Sequence, residues 1–334
     1  MRTTALGRST TMASELSFGA APLGNLFHAV TDEEAAAAVE AAWANGVRTF
    51  DTAPHYGLGL SERRLGQALR TKPRGQYTLS TKVGRLLRPR DEQGDDLANG
   101  FAVPATHERV WDFSADGVRA SLEESLTRLG LDRVDIIYLH DPHDHERAAF
   151  DSAYPELERM RAEGLVGAIG VGMNQTRMLE RFVRDTDIDV VLLAGRYSLL
   201  NHSGLTSLLP QAARRGVSVV IGGVFNSGLL ADPRPGATFD YAPAPQDLLE
   251  RALAVKALCE TFDVPLRAAA LQFPLGHPAV ASVLVGARSA AEVEDAARMI
   301  HRPIPADMWL GLRRQGLLPS DAPLPTLDPG VSPY

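Results

Sequence analysis

Three stretches of the chain follow one pattern. "WANGVRTFDTA", "RAEGLVGAIGVG" and "ARRGVSVVIGGV" each close a helical segment on a glycine and pass at once into a β-branched apolar run. Glycine takes the left-handed backbone that ends a helix without steric cost. The runs that follow show no alternation of apolar and polar residues, so they belong to strands buried on both faces. Strand-like runs of this kind occur eight times, at 17–21, 47–51, 77–82, 134–139, 166–171, 188–194, 217–222 and 281–285, and a helical pattern follows each. Helix starts are marked as well. Thr31 precedes "DEEAAAAVEAAW", Ser61 precedes "ERRLGQAL" and Ser114 precedes "ADGVRASLEESLTRLG".

Eight alternating βα units in 334 residues fit an α/β (β/α)8 TIM barrel, read as one domain over 1–334. A doubly wound sheet is the rival. It would carry G-x-G-x-x-G after its first strand, where this chain has "FGAAPLGN"; "GLGLSE" supplies only the first two glycines. The stretch 84–113 is expected to be a long irregular substrate loop at the carboxyl end of the third strand, with Trp111 and Phe113 lining a pocket or anchoring the loop. The Pro-rich tail, about 317–334, is expected to lie over the surface, and 232–247 carries no assignable role.

Composition narrows the function. A net charge of −7 with no long basic run argues against nucleic acid. No apolar stretch approaches the ~20 residues of a membrane span, and the first residues do not read as a signal peptide. A lone cysteine, Cys259, leaves no internal disulfide and no cysteine-rich zinc site. A cytoplasmic protein without membrane or nucleic-acid partners is the expectation. "HDPHDH" (140–145) superficially offers metal ligands, but its first histidine belongs to another set, and no metal is expected.

Barrels carry their chemistry at the carboxyl ends of the strands. Strand two ends on Asp51 with Tyr56 in the loop beyond, strand three on Lys82, and strand four on His140 and Asp141. Singly, each has a plain structural explanation: a turn cap, a lysine at the barrel mouth, a core histidine. Together they form a proton-transfer set. A tyrosine with a pKa near ~10 exchanges protons poorly at neutral pH. A neighbouring ammonium is expected to lower that value, and a carboxylate keeps the ammonium charged when buried. A histidine donates to the substrate oxygen and orients it. Such a set interconverts C–OH and C=O but provides no hydride, so it requires a cofactor.

"FDTAxxYG", the strand-end lysine and the "LHDP" segment, with flanks from "ELSFGAAPLG" to "LVGARSAAEVEDA", resemble the aldo-keto reductase family. The resemblance implies Tyr56 as general acid/base, Lys82 and Asp51 tuning it, and His140 positioning the substrate. It also implies a nicotinamide dinucleotide extended across the barrel mouth. After strand five, "GVGMNQ" gives Gly172, Met173 and Asn174 where relatives read "GVSN", so Asn174 is the expected carboxamide contact. After strand seven, Gly222 or Gly223 stands where relatives stack an aromatic ring, with Phe225 as a shifted substitute; Asn226, Ser227, Gly228 and Leu230 would form the pyrophosphate loop. After strand eight, Gly286, Arg288, Ser289, Glu292 and Asp295 would face the adenosine end. Glu292 stands where NADP-preferring relatives often place arginine, which favours NAD; Arg288 keeps NADP open.

"GAAPLGNLF", "DTAPHYGLGLSERRLG" and "GGVFNSGLL" resemble one branch of that family, the aldose 1-dehydrogenases (L-fucose, D-threo-aldoses) and pyridoxal 4-dehydrogenase. The branch implies oxidation of a cyclic hemiacetal to a lactone. His55, Asp141, His143, Arg196 and Asn226 would suit a sugar, and Trp111 with Phe113 a pyridoxal ring. An aldose is the favoured small-molecule substrate, pyridoxal the second, and NADPH-dependent reduction of simple carbonyls the third.

Overall fold

The computed structural model describes residues 1–91 and 94–325. Eight parallel strands close the expected barrel: β1 (Leu16–Gly19), β2 (Thr49–Asp51), β3 (Thr78–Val83), β4 (Ile136–His140), β5 (Ala168–Met173), β6 (Val190–Ala194), β7 (Ser218–Gly222) and β8 (Val280–Gly286). Each pairs with the next in sequence, and β8 returns to β1. Around it run helices α1 (Asp32–Ala44), α2 (Leu60–Leu69), α3 (Ala115–Leu129), α4 (Tyr154–Ala162), α5 (Thr176–Asp185), α6 (Leu208–Arg215), α7 (Gln246–Thr261), α8 (Leu266–Gln272), α9 (Ala290–Ile300) and α10 (Ala306–Arg314). No helix among the described residues is long and apolar enough to cross a membrane.

The local signals work as their chemistry demands. Thr31 accepts the Glu34 N–H at 3.1 Å while the Glu34 carboxylate accepts the Thr31 N–H at 2.9 Å, a reciprocal cap on α1. Ser114 accepts from the Gly117 N–H in the same way. Ser61 differs from its expected place. Helix α2 starts two residues earlier, behind Gly59, and the Ser61 hydroxyl donates to the Ala20 carbonyl at 2.6 Å, tying the helix to the exit of β1. The three glycines that end helices, Gly46, Gly164 and Gly216, take φ of 82°, 75° and 64°.

The pleat sorts side chains between two cores. Leu79 and Val83 of β3 and Ile137 and Leu139 of β4 face the helical layer, whereas Ile136 and Tyr138 face the barrel interior. An antiparallel pair the sequence did not announce, Thr3–Ala5 with Met12–Ser14, lies before β1, and Leu6 in its turn packs with Ile136, Ala168 and Val190. Strands of three residues leave no period to read.

The stretch 84–113 is not irregular. Arg85–Pro89 pairs antiparallel with His107–Trp111, and Asp95–Asp96 pairs with Phe101–Pro104. This arm lies over the loop that follows β2: Leu87, Phe101 and Val103 form a small apolar cluster with Leu58, against which Leu26, Tyr56 and Leu60 pack. Of the Pro-rich tail, the described part buries Leu318 and Ala322; the remainder, 326–334, lies outside the described residues.

Candidate active site

The same inward parity that fills the barrel brings the polar set together. Asp51 ends β2 and Lys82 is the fifth residue of β3, and the Lys82 ammonium donates to Asp51 Oδ2 at 2.6 Å and to the Thr52 carbonyl at 2.9 Å. Ser80 Oγ donates to the other oxygen of Asp51 at 2.7 Å. Both ionic partners are almost fully buried, so the pair stands on these hydrogen bonds rather than on solvent. The ammonium lies 4.8 Å from the centre of the Tyr56 ring, and the His140 ring meets Tyr56 edge-on at 5.8 Å. Asp51, Tyr56, Lys82 and His140 therefore converge, as their sequence positions require.

Electrostatics corrects one expectation. Burial pushes the Tyr56 phenol above its ordinary value; Lys82 pulls it down without prevailing, and Asp51 adds to the upward push. The carboxylate that secures the ammonium also cancels part of its field at the phenol. Burial works against the Lys82 ammonium too, but Asp51 and then Tyr56 outweigh it, and its pKa stands above the usual value. His140 is driven well below the ordinary imidazole value by burial and then by Arg85 and Lys82, so its ring is neutral. The site thus holds a neutral phenol, a charged lysine and a neutral imidazole.

These groups open on a cavity of about 680 Å³, within the usual range for small-molecule sites. Its polar wall includes His55, Arg85, Asp141, His143 and Asn174; its apolar wall includes Leu26, Phe27, Phe101 and Tyr241. Asp141 adopts a left-handed φ of 46° and is ion-paired with Arg85. Trp111 and Phe113, expected at the pocket, are not among its lining residues. Trp111 lies over the Arg85 guanidinium at 4.2 Å and stacks on Phe113, which is buried against Gly84. The cavity takes its aromatic residues from elsewhere. Tyr241, from the previously unassigned segment 232–247, meets Phe27 at 5.6 Å between ring centres. Residues missed from sequence, Arg85, Asp96, Phe101 and Arg109, all lie on the arm, whose period-two runs "RLLRP" and "HERVW" were the only signal available.

The expected cofactor residues fall into three groups. Gly172, Met173 and Asn174 all line the cavity, and Met173, the last residue of β5, also packs against the helical layer. Gly222 ends β7. Phe225 is half-buried against the outer core and is not among the residues lining the cavity, and Leu230 is fully buried in that core. Asn226, Ser227 and Gly228 turn through φ of 46°, 56° and 101°; Asn226 takes the Ser198 hydroxyl on Oδ1 at 2.6 Å and keeps a buried Nδ2 without a partner. Gly286 ends β8, and Ser289 caps α9 on the Glu292 N–H. Glu292 accepts the Arg288 N–H at 2.9 Å and pairs with its guanidinium, whereas Asp295 is held by Arg267 and Arg298. An orphaned buried amide, an open left-handed turn and a capped helix start fit a ligand rich in acceptor oxygens, as a dinucleotide is.

Residues 15–314 match the profile of the aldo/keto reductase family. The chain is 48% identical over 311 residues to a D-threo-aldose 1-dehydrogenase of Pseudomonas sp, covering 91% of this chain and 94% of that protein. It is 39% identical over 333 residues to the pyridoxal 4-dehydrogenase of Microbacterium luteolum, covering 94% and 97%. Among solved structures, the holo form of an aldo-keto reductase from Bacillus halodurans superposes with a TM-score of 0.75 at 26% identity, over 94% of this chain and 96% of that one.

Proposed function

The chain belongs to the aldo/keto reductase family and is an oxidoreductase that uses a nicotinamide cofactor, and from that premise we propose that it oxidises an aldose, as its cyclic hemiacetal, to the lactone. The observation that supports this best is the Lys82–Asp51 pair set against Tyr56 beside a neutral His140, at a cavity with one polar and one apolar wall. The similarity to a D-threo-aldose 1-dehydrogenase favours a sugar over pyridoxal.

In this reading Tyr56, as the phenolate, takes the proton of the anomeric hydroxyl. Lys82, fixed by Asp51, favours that phenolate over the distance of one ring contact. His140 hydrogen-bonds the same oxygen and orients it. A bound nicotinamide would supply the hydride acceptor that oxidation at the anomeric carbon requires. Asn174 lies on the cavity wall for the carboxamide; Asn226 and the turn after it would hold the phosphates, and the Ser289 cap the far end. Glu292, already engaged by Arg288, opposes a 2′-phosphate, which supports NAD over NADP.

The test crosses NAD and NADP against L-fucose, D-arabinose, L-xylose and pyridoxal, following reduced-nicotinamide absorbance. Lactone formation from an aldose with NAD is expected. Tyr56→Phe should lose at least about a thousandfold in kcat while retaining cofactor affinity. Consumption of NADPH on simple aldehydes, with no hemiacetal oxidised, would replace this reading by a reductase.

A further inference from the structure

His55 precedes Tyr56, and its ring lines the cavity 5.7 Å from that of His140. One edge of the ring is already engaged. Arg109 Nε–H donates to His55 Nδ1 at 2.5 Å, and Arg109 Nη2 donates to the His55 carbonyl at 2.9 Å. Asp96 grips the guanidinium in turn, accepting from Nη1 at 2.8 Å and from Nη2 at 2.5 Å. Asp96 and Arg109 both belong to the arm, on Asp95–Asp96 and His107–Trp111 respectively, and neither side chain is more than 10% exposed.

A guanidinium only donates, so the Nδ1 facing it can only accept. The ring must then carry its proton on Nε2 if it is neutral. It is neutral: burial first, then Arg85, Arg109 and Lys82, push its pKa down to about 2. Charge balance adds a second constraint. Lys82 is paired with Asp51, Arg85 with Asp141 and Arg109 with Asp96, so these cations of the site each have a carboxylate of their own among the described residues. No guanidinium or ammonium of this group is left over for a phosphate or carboxylate on the substrate.

We infer that Asp96 and Arg109 are positioning residues that lock His55 with its proton on Nε2, making it a fixed neutral donor to a hydroxyl oxygen of an uncharged polyol substrate. The substrate half of this inference rests on the aldose reading above; the imidazole half does not. Their failures are separable.

The first measurement is a long-range ¹H–¹⁵N correlation spectrum of histidine-labelled protein, with the His55 signals identified by their loss in His55→Gln. A neutral ring protonated on Nε2 is expected across about pH 5 to 8. Protonation on Nδ1, or on both nitrogens, overturns the lock. The second is kinetic. Arg109→Lys keeps a cation beside Asp96 but lacks the planar fork, and KM for the aldose should rise about tenfold with kcat within about twofold. Asp96→Leu with Arg109→Met removes the pair without stranding a buried charge and should give the same rise, with folding checked by melting. Unchanged KM in both folded variants overturns the positioning role. Preference for an aldose phosphate over the free sugar overturns the uncharged substrate. A native enzyme with the expected spectrum but no turnover of any aldose sinks the functional reading and leaves the lock standing.

Discussion

At the scale of single residues, the site turns on how much one buried ion pair controls. With burial holding the Tyr56 phenol high, only a small fraction is phenolate at neutral pH. A base that must be deprotonated, with a raised pKa, grows more abundant as pH rises. The rate of oxidation should therefore climb about tenfold per pH unit between about pH 7 and 9, and a flat kcat/KM profile over that range would remove Tyr56 as the base. Lys82→Met strands Asp51 without its partner inside the barrel and should cost about 3–5 kcal/mol of stability in denaturant unfolding. Combining it with Asp51→Asn should recover most of that loss and none of the activity, a non-additive outcome expected of groups in direct contact. Asp51, Tyr56, Lys82 and His140 were legible in the sequence because a parallel barrel strand has one carboxyl end and a strict inward parity. The net direction of the Tyr56 shift was not, because it depends on three-dimensional distances between an ammonium, its carboxylate and a phenol.

At the scale of elements, the long βα units declared themselves through uninterrupted apolar runs and helix caps, and the arm did not. Its strands carry Arg85, Arg88, Glu108 and Arg109; Arg85 and Arg109 find carboxylates in the folded site and Arg88 finds Glu124 on α3, but such charges read as loop in one dimension. The cavity's aromatic wall was equally hidden, since Phe27 and Tyr241 meet across more than half the chain. A second element-level feature is the contact between the β1 and β2 loops. Gly24 and Gly57 approach so closely that a Cβ on Gly57 would sit 2.3 Å from the Gly24 carbonyl oxygen, and Gly57 has φ of 60°. Gly57→Ala must push the loops apart next to Tyr56. It should lower kcat/KM by about tenfold to a hundredfold and destabilise the fold by about 1–3 kcal/mol; wild-type kinetics in this variant would show that Tyr56 is not positioned by that contact.

At the scale of the whole molecule, four histidines sit where their charged forms are disfavoured. Burial is the largest cause in each case; it brings His202 and His277 down to about 4 and His55 to about 2, and drives His140 well below its ordinary value. In the unfolded chain all four titrate near ~6.5. Below that pH the unfolded state binds protons that the folded state refuses, so stability falls as pH drops from about 6.5 toward 4, by up to about 1.4 kcal/mol per pH unit for each histidine. The melting temperature should decline steeply across that window. A melting temperature constant from about pH 7 to 5 would contradict it.

The arm has a consequence for descent and for design. The proposed acid–base residues stand on barrel strands or in the loop directly after β2, whereas Arg85 and Phe101 of the cavity wall, and the Asp96–Arg109 pair behind His55, are delivered by an excursion after β3 that is fastened by the Arg85–Asp141 ion pair, the Arg109–His55 hydrogen bonds and one small apolar cluster. A segment joined to the barrel by so small a set of contacts has the build of a cassette. Recombination could exchange it between lineages, changing which hydroxyls are read, while the inherited proton chemistry beneath it passes on unaltered.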